Sequence, residues 1–159
     1  MNVNLTHGEP SIRAREWGLA ALRAGVGLVF LMHGWQKLFE MGIPGVAGFF
    51  GQLGIPAPMP AATLVSLLEF LGGAALLAGL FTRWVAIPLA IDALVATLLV
   101  HLPKGFFVAQ GGYELVLLLL VGSVALALAG PGAFALDSLV ARGRPGAAPV
   151  DRRREDVAA

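Results

Sequence analysis

The sequence of 159 residues contains no cysteine. This absence excludes a disulfide framework, a thiol redox relay, thiolate-held iron–sulfur clusters and zinc sites that use cysteine. The remaining residues indicate no metal centre. Any redox chemistry of this chain must therefore use a bound cofactor or an oxidisable substrate.

Charged residues are also scarce. They make up 13% of the chain, whereas hydrophobic residues make up 57%, and a soluble domain has about 25% charged residues. The shortfall lies in four long apolar stretches, which a chain of this size could not bury within itself. The bilayer is therefore the predicted solvent and the first partner. The basic residues do not belong to a folded polar domain, so nucleic-acid binding is not expected.

The apolar stretches predict an all-α bundle of four transmembrane helices, because a span needs about 20 residues to cross a hydrocarbon core about 30 Å thick. The predicted spans are residues 17–39, 61–81, 84–102 and 113–129. They form one membrane domain over residues 17–138. Residues 1–16 are predicted to be an irregular cytoplasmic segment, and residues 139–159 a disordered basic cytoplasmic tail.

The connection between the first two spans, residues 40–60, is unusually apolar for a loop. It is rich in glycine and proline, yet it carries Phe49, Phe50, Leu53 and Ile55. A short or re-entrant helix that lies on the membrane surface and caps the bundle fits this composition. The alternative is an apolar, partly ordered loop.

Lysine and arginine are distributed unevenly over the predicted flanks. One side carries Arg13, Arg15, Arg83, Arg142, Arg144, Arg152, Arg153 and Arg154, and the other carries Lys104, with Lys37 near the boundary. Because basic residues accumulate on the cytoplasmic side, both termini are predicted to face the cytoplasm. The membrane is predicted to be a bacterial or archaeal plasma membrane, with the capping segment on its outer side.

Ionisable residues inside the predicted spans are informative, since a charged side chain at the centre of a span costs about 2.5–3.5 kcal/mol. A rise of about 1.5 Å per residue sorts them into two layers. The outer layer contains His33, Lys37, Glu69, His101 and Glu114, and the inner layer contains Arg23 and Asp92. Arg23 and Asp92 are predicted to form an ion pair that locks the bundle.

His33 and Glu69 lie deep and at matching depth on neighbouring spans, so they are the predicted catalytic pair. The predicted substrate-binding residues are Lys37, Phe49, Phe50, His101 and Glu114. Lys37, His101 and Glu114, each taken alone, could instead be interfacial anchors. Ligation of haem or copper by His33 and His101 is a less favoured alternative.

The order and spacing of several motifs resemble those of the DoxX family over residues 17–138. The motifs are Arg23, HGWQK at 33–37, GVAGFFGQLGIP at 45–56, LLEFLGG at 67–73, GLFTR at 79–83, His101 before GFF at 105–107, GYE at 112–114 and GPGAFALD at 130–137. This resemblance implies a four-helix membrane protein with quinone-linked respiratory or stress functions. Such relatives include a subunit of thiosulfate:quinone oxidoreductase, proteins implicated in quinone or catechol tolerance, and members of a complex that defends against oxidative and thiol stress.

The leading hypothesis is a redox component that binds a quinone or a small redox substrate in the outer half of the bundle. His33 would hydrogen-bond a carbonyl and exchange a proton. Glu69 would orient His33 or carry a second proton, and Lys37 would attract anions at the mouth.

One alternative is a small exporter of quinone-like or cationic compounds, driven by protons through Glu69 or Asp92. Another is a scaffold subunit without catalysis. Partner subunits of a membrane redox complex and a homo-oligomer are both compatible with the sequence.

Overall fold

The four apolar stretches form long helices, and the computed structural model describes them over residues 8–137. The helices are α1 (Gly8–Trp35), α2 (Gly42–Gln52), α3 (Pro58–Ala78), α4 (Thr82–Ala96) and α5 (Glu114–Ala129). Two π-helices extend them, Gln36–Met41 after α1 and Thr97–His101 after α4, and two short 3₁₀ turns follow at Leu102–Lys104 and Val108–Gln110. Between residues 8 and 137 the structure contains no strand. The predicted tail 139–159 lies outside the described residues.

The long helices pack as a closed ring in which α1 contacts α3, α3 contacts α4, α4 contacts α5 and α5 contacts α1. Leu76, Leu89 and Leu126 are completely buried at its centre. The helix faces that point away from this centre are also apolar. Leu64 and Leu128 on these faces are 68% and 74% exposed. An apolar surface of this extent requires lipid around it. The predicted four-helix membrane bundle is therefore confirmed.

The first helix begins earlier than the sequence indicated. Residues 8–16 were expected to be irregular, but α1 starts at Gly8. Arginine, glutamate and alanine dominate this stretch, and all three are good helix formers. Pro10 lies in the first turn, where a backbone N–H has no partner within the helix. The N–H that proline lacks therefore costs no hydrogen bond. The polar stretch therefore extends the first span as a helix.

Helix α2 is the predicted capping segment. Gly42 adopts φ +69° and ψ 153°, outside the helical region, and so redirects the chain after the first π-helix. Val46, Ala47 and Phe50 of α2 are then buried against Ala62 at the start of α3. The apolar residues of this connection therefore cover one end of the bundle, here called the capped end, as a helix rather than as a free loop.

Helices α1 and α3 approach closely because glycines lie at their contact. A Cβ atom at Gly34 would overlap the backbone of Phe70, and one at Gly73 would overlap the backbone of Leu31. Small residues at such positions allow membrane helices to pack backbone against backbone. This contact fixes the relative position of the residues that flank Gly34 on α1.

The end opposite the capped end, here called the arginine end, is held by Arg23. This buried side chain donates hydrogen bonds to the carbonyl oxygens of Leu76 (3.2 Å), Ala133 (3.0 Å) and Phe134 (3.5 Å). Nearby, the carboxylate of Asp137 accepts hydrogen bonds from the backbone N–H groups of Phe81 (2.6 Å) and Thr82 (2.9 Å) and so caps the start of α4.

The predicted ion pair between Arg23 and Asp92 is wrong. Side chains on a helix point back toward its N-terminus, so the long Arg23 side chain reaches toward the arginine end. There it reaches the carbonyl oxygen of Leu76 in the last turn of α3 and two carbonyl oxygens after α5. Asp92 lies instead beside Glu69 and Lys37, in the polar cluster near the capped end.

Candidate functional site

Polar side chains from three helices converge on two adjoining cavities near the capped end. The smaller cavity has a volume of about 150 Å³ and the larger about 410 Å³. The residues that line both are His33, Lys37, Glu69, Asp92, Ala96 and His101. The two cavities are therefore chambers of one site, joined at its polar wall.

Both π-helices contribute to this wall. Lys37 belongs to the π-helix Gln36–Met41, and His101 ends the π-helix Thr97–His101. A π-turn is rare and occurs mostly at functional sites, because it shifts side chains away from their regular α-helical directions. Here both irregular turns aim a basic residue at the same space.

Glu69 is the centre of the polar wall. Its Oε2 accepts a hydrogen bond of 2.5 Å from Nζ of Lys37, and the two side chains are 9% and 19% exposed. Asp92 lies within electrostatic range of Glu69 and Lys37 and lines the same two chambers. Two carboxyl groups therefore face the same space as one ammonium group.

The interaction of Glu69 with His33 is electrostatic, whereas Glu69 accepts its hydrogen bond from Lys37. The sequence had predicted that Glu69 orients His33 or carries a second proton, and that Lys37 attracts anions at the mouth. In the structure Lys37 is paired with Glu69, because a buried carboxylate is stabilised by a charged partner.

The two histidines of the polar wall come from α1 and from the π-helix that follows α4. Nδ1 of His101 lies 2.6 Å from the carbonyl oxygen of Gly111. Because a carbonyl oxygen only accepts, Nδ1 carries the hydrogen of this bond. His33 is half-buried and lies within electrostatic range of Lys37, Glu69 and His101. Among residues 8–137, no three His, Asp or Glu side chains are arranged to hold a metal ion.

Apart from the polar wall, Gln36 and Lys104, the larger chamber is apolar. Its apolar residues come from α2, the start of α3 and the end of α4: Met41, Val46, Phe49, Phe50, Ile55, Ala61, Val65, Val95, Leu99 and Val100. The rings of Phe49 and Phe50 lie 6.2 Å apart, centroid to centroid. An apolar space with a few polar groups at one side is the usual form of a site for a small organic ligand.

Glu114, a predicted substrate-binding residue, lies elsewhere. It lines another hollow of about 340 Å³, which shares Val108 and Leu115 with the smaller chamber. Glu114 itself lines neither of the two chambers.

Asp92 is the residue of the polar wall that the sequence reasoning assigned elsewhere. A usable signal existed, because Glu69 and Asp92 lie near the middle of antiparallel neighbouring helices and hence at similar depth. Ala96, four residues after Asp92, lines the same two chambers, as expected for one face of a helix. The roles of all these residues remain predictions.

A ring of helices with lipid-exposed faces and a polar cavity inside defines a polytopic integral membrane protein. The family model described as DoxX matches residues 18–102, just over half of the chain. The chain therefore belongs to the DoxX family. No solved structure matches the chain.

Three relatives cover most of the chain. The chain is 36% identical over 129 residues to a Bacillus subtilis protein named "Putative oxidoreductase CatD", which covers 81% of this chain and 91% of the relative. It is 37% identical over 126 residues to "Uncharacterized membrane protein Rv3486" of Mycobacterium tuberculosis, with 73% and 77% covered. It is 34% identical over 127 residues to "Inner membrane protein YqjF" of Escherichia coli, with 77% and 92% covered.

Proposed function

We propose that this DoxX-family membrane protein binds a quinone or a small redox substrate in the two-chamber site, as a component of a quinone-linked redox or oxidative-stress system. One observation carries the proposal: an apolar chamber walled by Phe49 and Phe50 opens onto a wall of ionisable side chains inside a membrane bundle. A flat ring needs apolar walls, and its oxygens need polar groups at the rim. The name of the Bacillus subtilis relative supports the redox class.

The proposed chemistry uses the polar wall to exchange protons with the ring oxygens. His33 hydrogen-bonds one oxygen and exchanges a proton with it, since imidazole can both donate and accept. Glu69 and Asp92 hold a proton between them and supply it to the same end of the ligand. Quinone reduction couples electrons to protons, so a buried proton store suits this substrate class. The electrons come from a partner subunit of a membrane redox complex or from a diffusible reductant.

Orientation and assembly belong to the same proposal. The arginine bias of the sequence supports cytoplasmic termini, which put the capped end and the site in the outer half of a plasma membrane. A ligand that partitions into lipid would reach the larger chamber from the bilayer. Partner subunits and a second copy of this chain are the assemblies that the proposal allows.

Naphthoquinone binding to the purified chain in lipid nanodiscs, measured by calorimetry, tests the proposal. His33→Ala, Glu69→Gln and Phe50→Ala should each weaken binding about tenfold or more, the usual effect of losing a central contact of about 1.4 kcal/mol or more. Glu40→Gln and Phe107→Ala are matched controls, because both side chains are exposed and lie outside the two chambers. The controls should bind as the original chain does.

Yield and thermal unfolding in detergent show whether the polar residues bind a ligand or only stabilise the bundle. The three site variants should insert and purify at normal yield while losing ligand. An equal loss of folded protein in all three would make the polar wall structural and contradict the proposal. Undiminished binding in all three would place the quinone elsewhere.

Glu69 and Asp92, two carboxyl groups that line both chambers, favour a second candidate function, proton-coupled export. Carboxyl groups that hold a proton inside a membrane bundle are a frequent element of proton relays in transporters. Proteoliposomes that contain this chain alone, with an imposed pH gradient, test this candidate. Accumulation of a quinone-like or cationic dye that Glu69→Gln abolishes would favour the exporter over the redox component.

A further inference from the structure

The larger chamber opens to the outside along one apolar edge. Val46 and Phe50 line this chamber and are only 1% and 7% exposed, so contact with the chamber does not by itself expose a side chain. Val95 and Leu99 line the same chamber, yet they are 45% and 49% exposed. Their outer surfaces therefore face the surroundings of the bundle. The gap in the wall beside Val95 and Leu99 is here called the side opening.

The side opening lies between α2 and the end of α4, which are held by different neighbours. Helix α2 packs on α3 and on the π-helix before it, whereas α4 packs most extensively on α5. Val95 and Leu99 both belong to the apolar span Thr82–Lys104. With a rise of about 1.5 Å per residue, they lie roughly 14 Å and 8 Å before Lys104. The side opening therefore faces the hydrocarbon of the bilayer rather than water.

The same chamber also has a polar border at the capped end. Gln36 and Lys104 line the chamber there, and both are exposed. A lysine at the end of a membrane span extends its ammonium group toward headgroups and water. A ligand dissolved in water would use this polar border, and a ligand dissolved in lipid would use the side opening. The two borders therefore suit two different kinds of ligand.

We propose that the ligand carries a hydrocarbon tail, and that this tail leaves the chamber through the side opening into the bilayer. The inference rests on the proposed function and narrows its substrate class to lipid-soluble rings with a tail. While the ring contacts His33 and Glu69, the tail lies along the side chains of Val95 and Leu99. These aliphatic groups offer no hydrogen bond, so a polar substituent would lose its water there without replacement. A hydrocarbon tail stays in apolar surroundings along its whole path.

Three naphthoquinones test the tail: a methyl-substituted ring, the same ring with a decyl chain, and the same ring with a polyether chain of equal length. Their binding to the full chain in nanodiscs is measured by calorimetry, and each affinity is referred to the probe dissolved in the lipid, which removes differences in partitioning. The decyl ring should bind at least as tightly as the methyl ring. The polyether ring should bind about tenfold more weakly or worse, because its ether oxygens would lose their water at the side opening.

Leu99→Trp and Leu98→Trp form a matched pair that tests the route. Both leucines belong to the same π-helix and are 49% and 51% exposed, but of the two only Leu99 lines the chamber. The larger side chain of Leu99→Trp narrows the side opening, so the decyl ring should lose about tenfold or more in affinity. The methyl ring should keep its affinity, which also shows that the variant folds. Leu98→Trp should change the binding of neither ring.

A second matched pair repeats the comparison one turn earlier on α4. Val95 lines the chamber, whereas its neighbour Leu94 lines neither chamber and is exposed to a similar extent. Val95→Phe should therefore weaken the decyl ring selectively, and Leu94→Phe should not. This pair tests the side opening independently of any effect of tryptophan on the π-helix.

The outcomes separate this inference from the proposed function. Binding of the methyl ring with weaker binding of the decyl ring to the original chain would overturn the tail alone. Equal or tighter binding of the polyether ring would move the exit to the polar border. Undiminished binding of the decyl ring in both Leu99→Trp and Val95→Phe would remove the side opening from the route. Absence of binding by all three rings would overturn the proposed function and this inference with it.

Discussion

Arg23 hydrogen-bonds to backbone carbonyl groups through its two terminal nitrogens, whereas its buried Nε has no hydrogen-bond partner among residues 8–137. Its guanidinium contacts the last turn of α3 through Leu76 and the segment after α5 through Ala133 and Phe134. A planar guanidinium has five N–H donors in a fixed fork and can bind several acceptors at once, whereas a lysine ammonium is a single point of charge. One side chain therefore ties three parts of the chain together at the arginine end.

Arg23→Ala should destabilise the bundle by about 1.5–3 kcal/mol, the usual contribution of a hydrogen bond to a charged group. Arg23→Lys should restore only part of this, because lysine cannot reproduce the fork. Thermal unfolding in detergent gives the measurement. The double variant Arg23→Ala/Asp92→Asn should be no more stable than Arg23→Ala, since the two residues do not pair. Recovery in the double variant would restore the ion pair that the sequence had predicted.

The residues of the site were partly predictable, because burial of an ionisable group in lipid is costly and depth follows from the helical rise. His33, Lys37 and Glu69 were placed in one layer by that reasoning, and the structure gathers them around one cavity. Asp92 was assigned to the wrong layer because it and Glu69 both lie near the middle of their helices, where the division into an inner and an outer layer separates residues of similar depth. The direction of Glu114 depends on how α5 is rotated in the bundle.

At the scale of helices, the spans were predictable from hydropathy, and their irregularities were not. The predicted ends of the second and fourth spans lie within three residues of the ends of α3 and α5. The π-helices Gln36–Met41 and Thr97–His101 leave no mark in hydropathy, because they arise where helix contacts outweigh regular hydrogen bonding.

The close approach of α1 and α3 can be tested with glycine variants and a matched control. Gly34→Ala and Gly73→Ala should each destabilise the bundle by about 1–3 kcal/mol, because the added methyl group would overlap the backbone of the facing helix. Gly25→Ala should be neutral or stabilising by roughly 0.5–1 kcal/mol, since a Cβ there meets open space and alanine is the better helix former. Thermal unfolding of the three variants side by side is the test. Equal effects at Gly25 and Gly34 would show that helix propensity, not close approach, governs both.

On the scale of the whole molecule, the two ends of the bundle have different tasks. The arginine end is closed by Arg23 and Asp137, which hydrogen-bond to backbone groups at the end of α3 and the start of α4. The capped end is covered by α2 and contains the ionisable residues and the cavities. Closure at one end provides rigidity, and the irregular turns at the other shape the site. This division explains why motifs far from the site, GLFTR and GPGAFALD, meet at the arginine end.

The distribution of arginine predicts how this molecule lies in the membrane. Arginine accumulates on the side of the arginine end, and basic residues stay cytoplasmic, so α2 should face outward. The chain has no cysteine, so a single introduced thiol reports without background. Gln52→Cys, on the exposed end of α2, should react with an impermeant thiol reagent in intact cells. Ala14→Cys, exposed near the start of α1, should react only after the membrane is opened.

The reverse pattern would invert the molecule and move the site to the cytoplasmic half, and labelling of both residues in intact cells would indicate dual insertion. Both thiols should react fully in detergent, which establishes that protection comes from the bilayer rather than from burial in the protein.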